Sequence, residues 1–155
     1  MKTLIVFSSK YGTVERCAKL IAEKLGDAVL ENLRNNSDIK ISDFDTVIIG
    51  GSIYSGKIRD EIKEFCTKQH KELIKKRLGL FICNMGNGEK ELLESYPAKL
   101  LEHAVVKLPF GGELNFEKMN ADDKKIIKSQ MNIDRTVVKI LNENIKRFYE
   151  TIKTV

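Results

Sequence analysis

Residues 51–57, GSIYSGK, combine two glycines and a lysine at a spacing that could bind a nucleoside triphosphate. Gly51 is followed by four residues and then by Gly56 and Lys57, as in the phosphate-binding loop of an NTPase. Such a loop also needs a Ser or Thr hydroxyl for Mg²⁺ at the next position, where this chain has Ile58. A later apolar run leads into Asn84 and not into the aspartate that these enzymes use to hold Mg²⁺. The sequence therefore disfavours ATP binding by this stretch.

A second stretch, SSKYGT at residues 8–13, could bind a phosphate without a metal ion. It directly follows an apolar run and leads into a helical pattern, so its backbone N–H groups would open a helix whose dipole favours an anion. Three hydroxyl side chains could donate hydrogen bonds, and Gly12 would allow close approach of the backbone. The alternative is an ordinary strand-to-helix turn in which Thr13 is the N-cap.

Apolar runs alternate with amphipathic stretches along the chain, which predicts strands alternating with helices. The run TLIVF at 3–7 is continuous and β-branched, as in a strand buried on both faces. Further strands are predicted at 28–33, 45–51, 78–83 and 104–110. This pattern is typical of an α/β protein with a doubly wound parallel sheet and helices on both faces. In such a sheet the ligand lies beyond the carboxyl ends of the strands, so the loops to examine are 8–13, 52–59, 84–90 and 111–116.

Helical periodicity is present between these strands and at the end of the chain. The first helix carries apolar residues from Val14 to Leu25 and should end at Gly26 as its C-cap. Pro97 should interrupt the helix after the fourth strand. Further helices are predicted from about 62 to 77, at 121–130 and from Val138 to the end, with 111–120 irregular.

Length and composition describe one soluble domain covering residues 1–155, with 42% hydrophobic and 32% charged residues. The net charge is +5, but the lysines are spread along helices between acids, so we expect no nucleic-acid site, and peripheral membrane contact is not indicated. Cys17, Cys66 and Cys83 lie far apart, so neither a metal site nor a disulfide framework is indicated, and all three are predicted to be core thiols. No signal peptide is predicted, and we expect a cytoplasmic location.

At the stretches KTLIVFSSKYGTVERCAKLIAEKL and IIGGSIYSGKI the chain resembles the flavodoxin family. Within it, the chain looks most like the branch that includes the menaquinone-dependent protoporphyrinogen IX dehydrogenases. It departs from those enzymes in having little room for their extended insert and in its acidic stretch FGGELNFEKMN. The resemblance implies a five-stranded sheet in the flavodoxin-like order 2-1-3-4-5, with FMN bound noncovalently at the carboxyl ends of the strands.

The resemblance also implies which residues bind FMN. The first loop would bind its phosphate, the loop after the third strand would lie against the isoalloxazine with Gly56 as the contact to flavin N5, and the next loop would hold the other side of the ring. The implied residues are Ser8, Ser9, Lys10, Tyr11, Gly12, Thr13, Ser52, Ile53, Tyr54, Ser55, Gly56, Asn84, Met85, Gly86 and Asn87. Tyr54 would either stack on the ring or be a surface tyrosine, and Met85 would either pack on the other face or anchor its loop.

We therefore expect a small FMN-dependent oxidoreductase, in which the flavin carries the electron chemistry and no residue of the chain is itself catalytic. Its partner would be a redox protein or a small redox substrate such as a quinone or a porphyrinogen. Two alternatives stay open: an electron carrier with no substrate of its own, and a flavin-free binding module. The charge of +5 counts against the carrier role, because dedicated flavodoxin carriers are usually acidic.

Overall fold

The computed structural model describes residues 2–9, 11–36 and 38–154. A parallel sheet of five strands lies at its centre, in the spatial order β2-β1-β3-β5-β6. The strands are β1 Thr3–Ser8, β2 Ala28–Asn32, β3 Thr46–Tyr54, β5 Arg77–Cys83 and β6 Val106–Pro109. In chain order of the parallel strands this is 2-1-3-4-5, so the predicted fold and strand order are confirmed.

Helices cover both faces of the sheet, because its strands are apolar on both sides. Along β3, Ile48 belongs to a core shared with Phe148, whereas Val47 and Ile49 belong to a second core shared with Ile62. This alternation follows from the two-residue repeat of a strand. The helices are α1 Thr13–Leu25, α2 Asp60–Lys68, α3 His70–Leu73, α4 Gly88–Ser95, α5 Ala98–His103, α6 Ala121–Met131 and α7 Asn142–Lys153. Among the described residues, no helix is long and apolar enough to cross a membrane.

Several helix ends agree with the sequence prediction and two do not. Gly26 caps α1 with a φ of 91°, and the break between α4 and α5 falls at Tyr96 and Pro97, both as predicted. Thr13, however, is the first residue of α1 and not its N-cap, since Gly12 takes that position with a φ of 90°. The predicted helix from 62 to 77 is two helices, α2 and α3, which meet at Gln69.

Two stretches expected to be irregular or helical form strands instead. Residues Gly111–Leu114 (β7) pair antiparallel with Val137–Ile140 (β8), so Val138 lies in a strand and the last helix begins at Asn142. The sequence VVKI is rich in β-branched residues, which favour a strand. Gly111 makes the pairing possible, because its φ is +72° and a Cβ there would lie 1.9 Å from the carbonyl oxygen of Lys139.

The stretch predicted as the loop SIYSGK is a β-hairpin. Residues 52–54 extend β3, and Lys57–Ile58 (β4) pair back on it antiparallel. Ser55 and Gly56, the two turn residues, both have positive φ values, 52° and 76°. This is the pattern of a type I′ turn, whose twist matches that of the two strands.

Candidate functional site

A cleft of about 290 Å³ lies at the carboxyl ends of the central strands, where the sequence predicts the ligand. Its wall contains most of the predicted site residues, from all three predicted loops. These are Ser9, Tyr11, Thr13, Ser52, Ile53, Tyr54, Ser55, Gly56, Asn84, Met85 and Gly86. The cleft is lined in addition by Gly112, Glu113 and Leu114, from the stretch 111–116 that the sequence also singled out as a ligand loop. The residues that the sequence prediction missed are Cys83, Glu91, Met119, Ile127, Gln130 and Met131.

The remaining predicted residues lie elsewhere. Ser8 is fully buried and its hydroxyl donates to Glu61 at 3.1 Å, so it joins β1 to α2. Asn87 caps α4, accepting a hydrogen bond from the backbone N–H of Lys90 at 3.2 Å. Gly12 shapes the start of α1 without lining the cleft. Lys10 lies outside the described residues.

The start of α1 carries backbone N–H groups that a side chain of the N-cap residue does not cap. Because Gly12 has no side chain, the first turn of the helix is not capped by its N-cap residue, and N–H groups at a helix start have no partner within the helix. Ser9 Oγ accepts a hydrogen bond from the Gly12 N–H at 2.9 Å, which fixes the loop and leaves the Ser9 hydroxyl hydrogen able to donate. Thr13 follows as the first helical residue, with its side chain in the wall of the cleft.

Charged side chains surround this loop. The Arg34 guanidinium donates to the Ser9 carbonyl oxygen at 2.9 Å, and Arg16 forms an ion pair with Glu113. Behind the loop, partial burial acts against the charge of Glu61. Its own backbone N–H and the neighbouring Arg59 outweigh that effect, so the pKa of this carboxyl is lowered. Two guanidinium groups therefore lie near the start of α1, and that of Arg16 is paired with Glu113.

The hairpin after β3 brings an unpaired polar atom to the cleft. Ser52 Oγ is buried and has no hydrogen-bond partner among the described residues. A buried hydroxyl without a partner costs about 1–3 kcal/mol, so a bound ligand or water that bonds to it would be stabilised. Gly56, at the tip of the turn, has open space where a Cβ would project.

The loop after β5 is held rigidly by contacts to its neighbours. The Asn84 side chain donates to Glu91 at 3.0 Å, and its backbone N–H donates to the Gly111 carbonyl at 2.8 Å. At Gly112 a Cβ would lie 2.9 Å from the Asn84 carbonyl oxygen, so this position needs a glycine for the two backbones to approach. Met85 thus projects into the cleft from a fixed backbone.

Helix α6 forms a wall of the cleft that the sequence did not indicate. Asp123, in its first turn, is buried and accepts hydrogen bonds from the hydroxyls of Tyr11 and Tyr54, one on each carboxylate oxygen. These tyrosines come from two different predicted ligand loops, so one carboxylate ties both loops to α6. The sequence did carry a signal for the helix start, since Asn120 accepts from the Asp123 N–H at 2.8 Å. The sequence carried no signal for the two bonds to Asp123, because Tyr11 lies 112 positions and Tyr54 lies 69 positions before it.

Comparison with known proteins agrees with this geometry. The model of the flavodoxin domain family matches residues 4–137, and the chain therefore belongs to that family. A search among curated proteins gave no match.

Solved flavodoxin structures share the fold. Oxidised flavodoxin 1 from Bacillus cereus is 15% identical, with a TM-score of 0.62 over 100% of this chain and 99% of that one. A flavodoxin from Streptococcus pneumoniae TIGR4 is 17% identical, with a TM-score of 0.57 over 97% of this chain and 94% of that one. A flavoprotein from Lactobacillus acidophilus NCFM, solved in complex with FMN, is 18% identical, with a TM-score of 0.51 over 72% of this chain and 91% of that one.

Proposed function

We propose that this chain is an FMN-binding electron-transfer flavoprotein. FMN is its cofactor, held noncovalently in the cleft at the carboxyl ends of the strands. The observation that carries the proposal is the convergence of three ligand loops on one cleft that offers helix N–H groups at one end and apolar side chains at the other. When bound, FMN supplies the ability to accept and donate electrons.

The residues of the cleft fit the parts of FMN. The phosphate would be held at the start of α1 by the Ser9 and Thr13 hydroxyls and the free N–H groups, with Arg16 and Arg34 adding positive charge nearby. Ser52, whose buried hydroxyl finds no partner in the part of the chain that the structure describes, would bond to the cofactor.

The ring system of FMN would lie farther along the cleft, against the hairpin. Ile53 and Met85 both supply apolar surface to the cleft, which suits an aromatic ring system. Tyr54 lines the same region, but its hydroxyl is bonded to Asp123, so its ring orientation is fixed by α6. Gly56 remains the proposed backbone contact to the flavin.

Binding of FMN and riboflavin to the purified protein tests this proposal. Riboflavin lacks the phosphate, so it should bind the cleft more weakly than FMN, and the difference should shrink when Thr13 is replaced by Ala. Flavin fluorescence quenching measures both affinities. A protein that quenches neither flavin would refute the proposal. Equal affinities for the two flavins would mean that the start of α1 does not bind the phosphate.

A second candidate, an enzyme with a small redox substrate, is favoured by the apolar wall around α6. Met119 and Ile127 are buried and Met131 is partly exposed, and all three line the cleft beyond the loops proposed to bind FMN. Such a surface suits a ring substrate of the quinone or porphyrinogen class, as in the protoporphyrinogen dehydrogenases, and the protein would act in the cytoplasm. A substrate-free electron carrier is the alternative, in which a redox protein would be the partner.

Steady-state turnover separates the two candidates. With a flavin reductant present, an enzyme should show saturable reduction of a soluble quinone. A porphyrinogen supplied as the electron donor in place of that reductant should also support reduction of the quinone. Met131→Ala should raise the KM for the quinone, whereas Leu93→Ala, an exposed apolar residue on α4, is a control that should not change it. Turnover that follows the concentration of an added redox protein alone would support the carrier.

A further inference from the structure

Two buried cysteines meet at the wall of the cleft. Cys17 lies in α1 and Cys83 is the last residue of β5, and both are no more than 5% exposed. The Cys83 thiol donates a hydrogen bond to the Cys17 sulfur, with the two sulfur atoms 3.8 Å apart. Cys83 also lines the cleft, directly before Asn84. The two cysteines are 66 positions apart in the sequence, so nothing in the sequence indicated a disulfide between them.

The distance between the sulfurs is short enough for a bond to form with little movement. A disulfide bond is about 2.05 Å long, so the two sulfur atoms would have to approach by about 1.8 Å. Neither cysteine is in a disulfide in this structure. A change of rotamer at a cysteine moves its sulfur by a distance of this order.

The surroundings of the pair shift the pKa values of the two thiols in opposite directions. The hydrogen bond from Cys83 lowers the pKa of the Cys17 thiol, and although burial raises it, the nearby Arg16 lowers it further. The same hydrogen bond, together with burial, raises the pKa of Cys83 well above its ordinary value. Of the two thiols, Cys17 therefore loses its proton more readily, and it is the more nucleophilic sulfur, since the thiolate is the reactive form.

We propose that Cys17 and Cys83 are a reversible dithiol–disulfide couple that exchanges two electrons with the flavin bound beside it. Oxidation breaks two S–H bonds, forms one S–S bond and releases two electrons and two protons, which the oxidised flavin takes up. In the reverse direction the reduced flavin returns both electrons and both protons, which breaks the S–S bond and restores two thiols. The exchange rests on the proposed function, because it requires a flavin in the cleft, whereas the formation of the disulfide does not.

The third cysteine is a control within the same chain. Cys66 belongs to the core on the opposite face of the sheet from Cys17 and Cys83, and it does not line the cleft. Burial raises the pKa of its thiol to about 12, which keeps it protonated and unreactive. Oxidation of the folded protein should therefore spare Cys66.

Counting free thiols in the flavin-free protein tests the couple itself. The protein is equilibrated with mixtures of reduced and oxidised glutathione, quenched with acid, denatured and alkylated, and the disulfide is located by peptide mass mapping. At the oxidised end we expect one disulfide that joins the Cys17 and Cys83 peptides, still present in Cys66→Ala and lost in Cys17→Ala. The wild-type peptide map decides the question even where a variant does not fold. Three free thiols at every mixture, or a disulfide that includes Cys66, would overturn the proposal.

Reductive titration tests the exchange with flavin. The oxidised protein is loaded with FMN and titrated with dithionite without oxygen, while the flavin absorbance and the free thiols are followed. The wild type should take up two more electrons per flavin than Cys17→Ala, and the thiols of Cys17 and Cys83 should appear as they do so. If both proteins take up the same number of electrons per flavin, the exchange between the cysteine pair and the flavin is overturned. Formation of the disulfide is then judged by the thiol count alone. Failure to bind FMN at all would instead refute the proposed function.

Discussion

Removing the Asp123 carboxylate tests whether α6 closes the cleft by holding two ligand loops. Asp123→Ala deprives the Tyr11 and Tyr54 hydroxyls of their acceptor. A hydrogen bond to a charged group contributes about 1.5–3 kcal/mol when it is buried. Both tyrosines are only half-buried, so solvent weakens each bond to about 1–1.5 kcal/mol, and for the two bonds together we expect α6 to lose about 2–3 kcal/mol of docking free energy.

The other contacts of α6 with the protein are few, so the lost docking free energy should appear as local opening of this helix. In the helix itself Ile127 is the only buried apolar residue, with Met119 before it. A change of 2–3 kcal/mol raises the population of the opened helix by about 30- to 150-fold. Hydrogen exchange followed by mass spectrometry should show faster exchange at 121–131 by about that factor, with the strands of the parallel sheet unchanged. FMN should bind about 5- to 10-fold more weakly, because α6 contributes to the wall of the cleft.

Asp122→Ala is the matched control. Asp122 lies in the same first turn of α6 and is exposed. Its replacement removes one negative charge near the N-terminus of the helix, as Asp123→Ala does, but leaves the bonds of the two tyrosines intact. A double-mutant cycle adds a second check, since Tyr54→Phe should have little effect once Asp123 is gone. If the Asp122 and Asp123 variants exchange equally fast, the tyrosine bonds do not hold α6 and the reasoning is wrong.

Three further predictions concern the cleft and the core. Thr13→Ala should weaken FMN binding by about 1–2 kcal/mol, seen in fluorescence titration, and leave riboflavin binding unchanged; an unchanged FMN affinity would place the phosphate elsewhere. Gly56→Ala puts a Cβ on a residue with φ +76° and should cost about 1–2 kcal/mol in the turn and shift the one-electron potentials of bound FMN by tens of millivolts. Gly26→Ala, with φ +91° and equally open space far from the cleft, should lower stability without moving the potentials, and a shift in both variants would refute the contact. Burial raises the pKa of Cys66 from 9.0 to about 12, so the native state keeps a proton that the unfolded chain loses. Stability should therefore fall by up to about 4 kcal/mol as pH rises from 9 to 12, and urea titrations of Cys66→Ala should lack that part of the slope.

The parallel sheet could be predicted because its information is local. Each of its buried strands is a short apolar run, and each run at the centre of the sheet ends in a stretch rich in Gly, Ser or Asn. Residues 3–7 are one such run, and β1 indeed spans Thr3–Ser8. The same regularity placed the ligand loops at one edge, since parallel strands with helical crossovers must all end there.

The antiparallel additions could not be predicted because their information lies in distant pairings. The run VVKI at 137–140 is short and continues into the apolar positions of α7, so its periodicity fits a helix as well as a strand. Only the approach of Gly111, which leaves no room for a Cβ beside Lys139, shows why a strand forms there. The docking of Asp123 on two tyrosines is of the same kind, and so is the contact between Cys17 and Cys83.

The likeness of GSIYSGK to an ATP-binding loop has a structural origin that involves no nucleotide. Gly51 lies in β3, where a Cβ would come within 2.9 Å of both Ile58 and Ile62, so packing requires a glycine. Gly56 is a glycine for another reason, the positive φ of the turn. The hairpin then fixes their spacing, since Ile53 pairs with Ile58 and Tyr54 with Lys57. Ile58, the residue that breaks the ATP-binding motif, is buried against Gly51, so a hydroxyl at this position would point into the core and not at a metal ion.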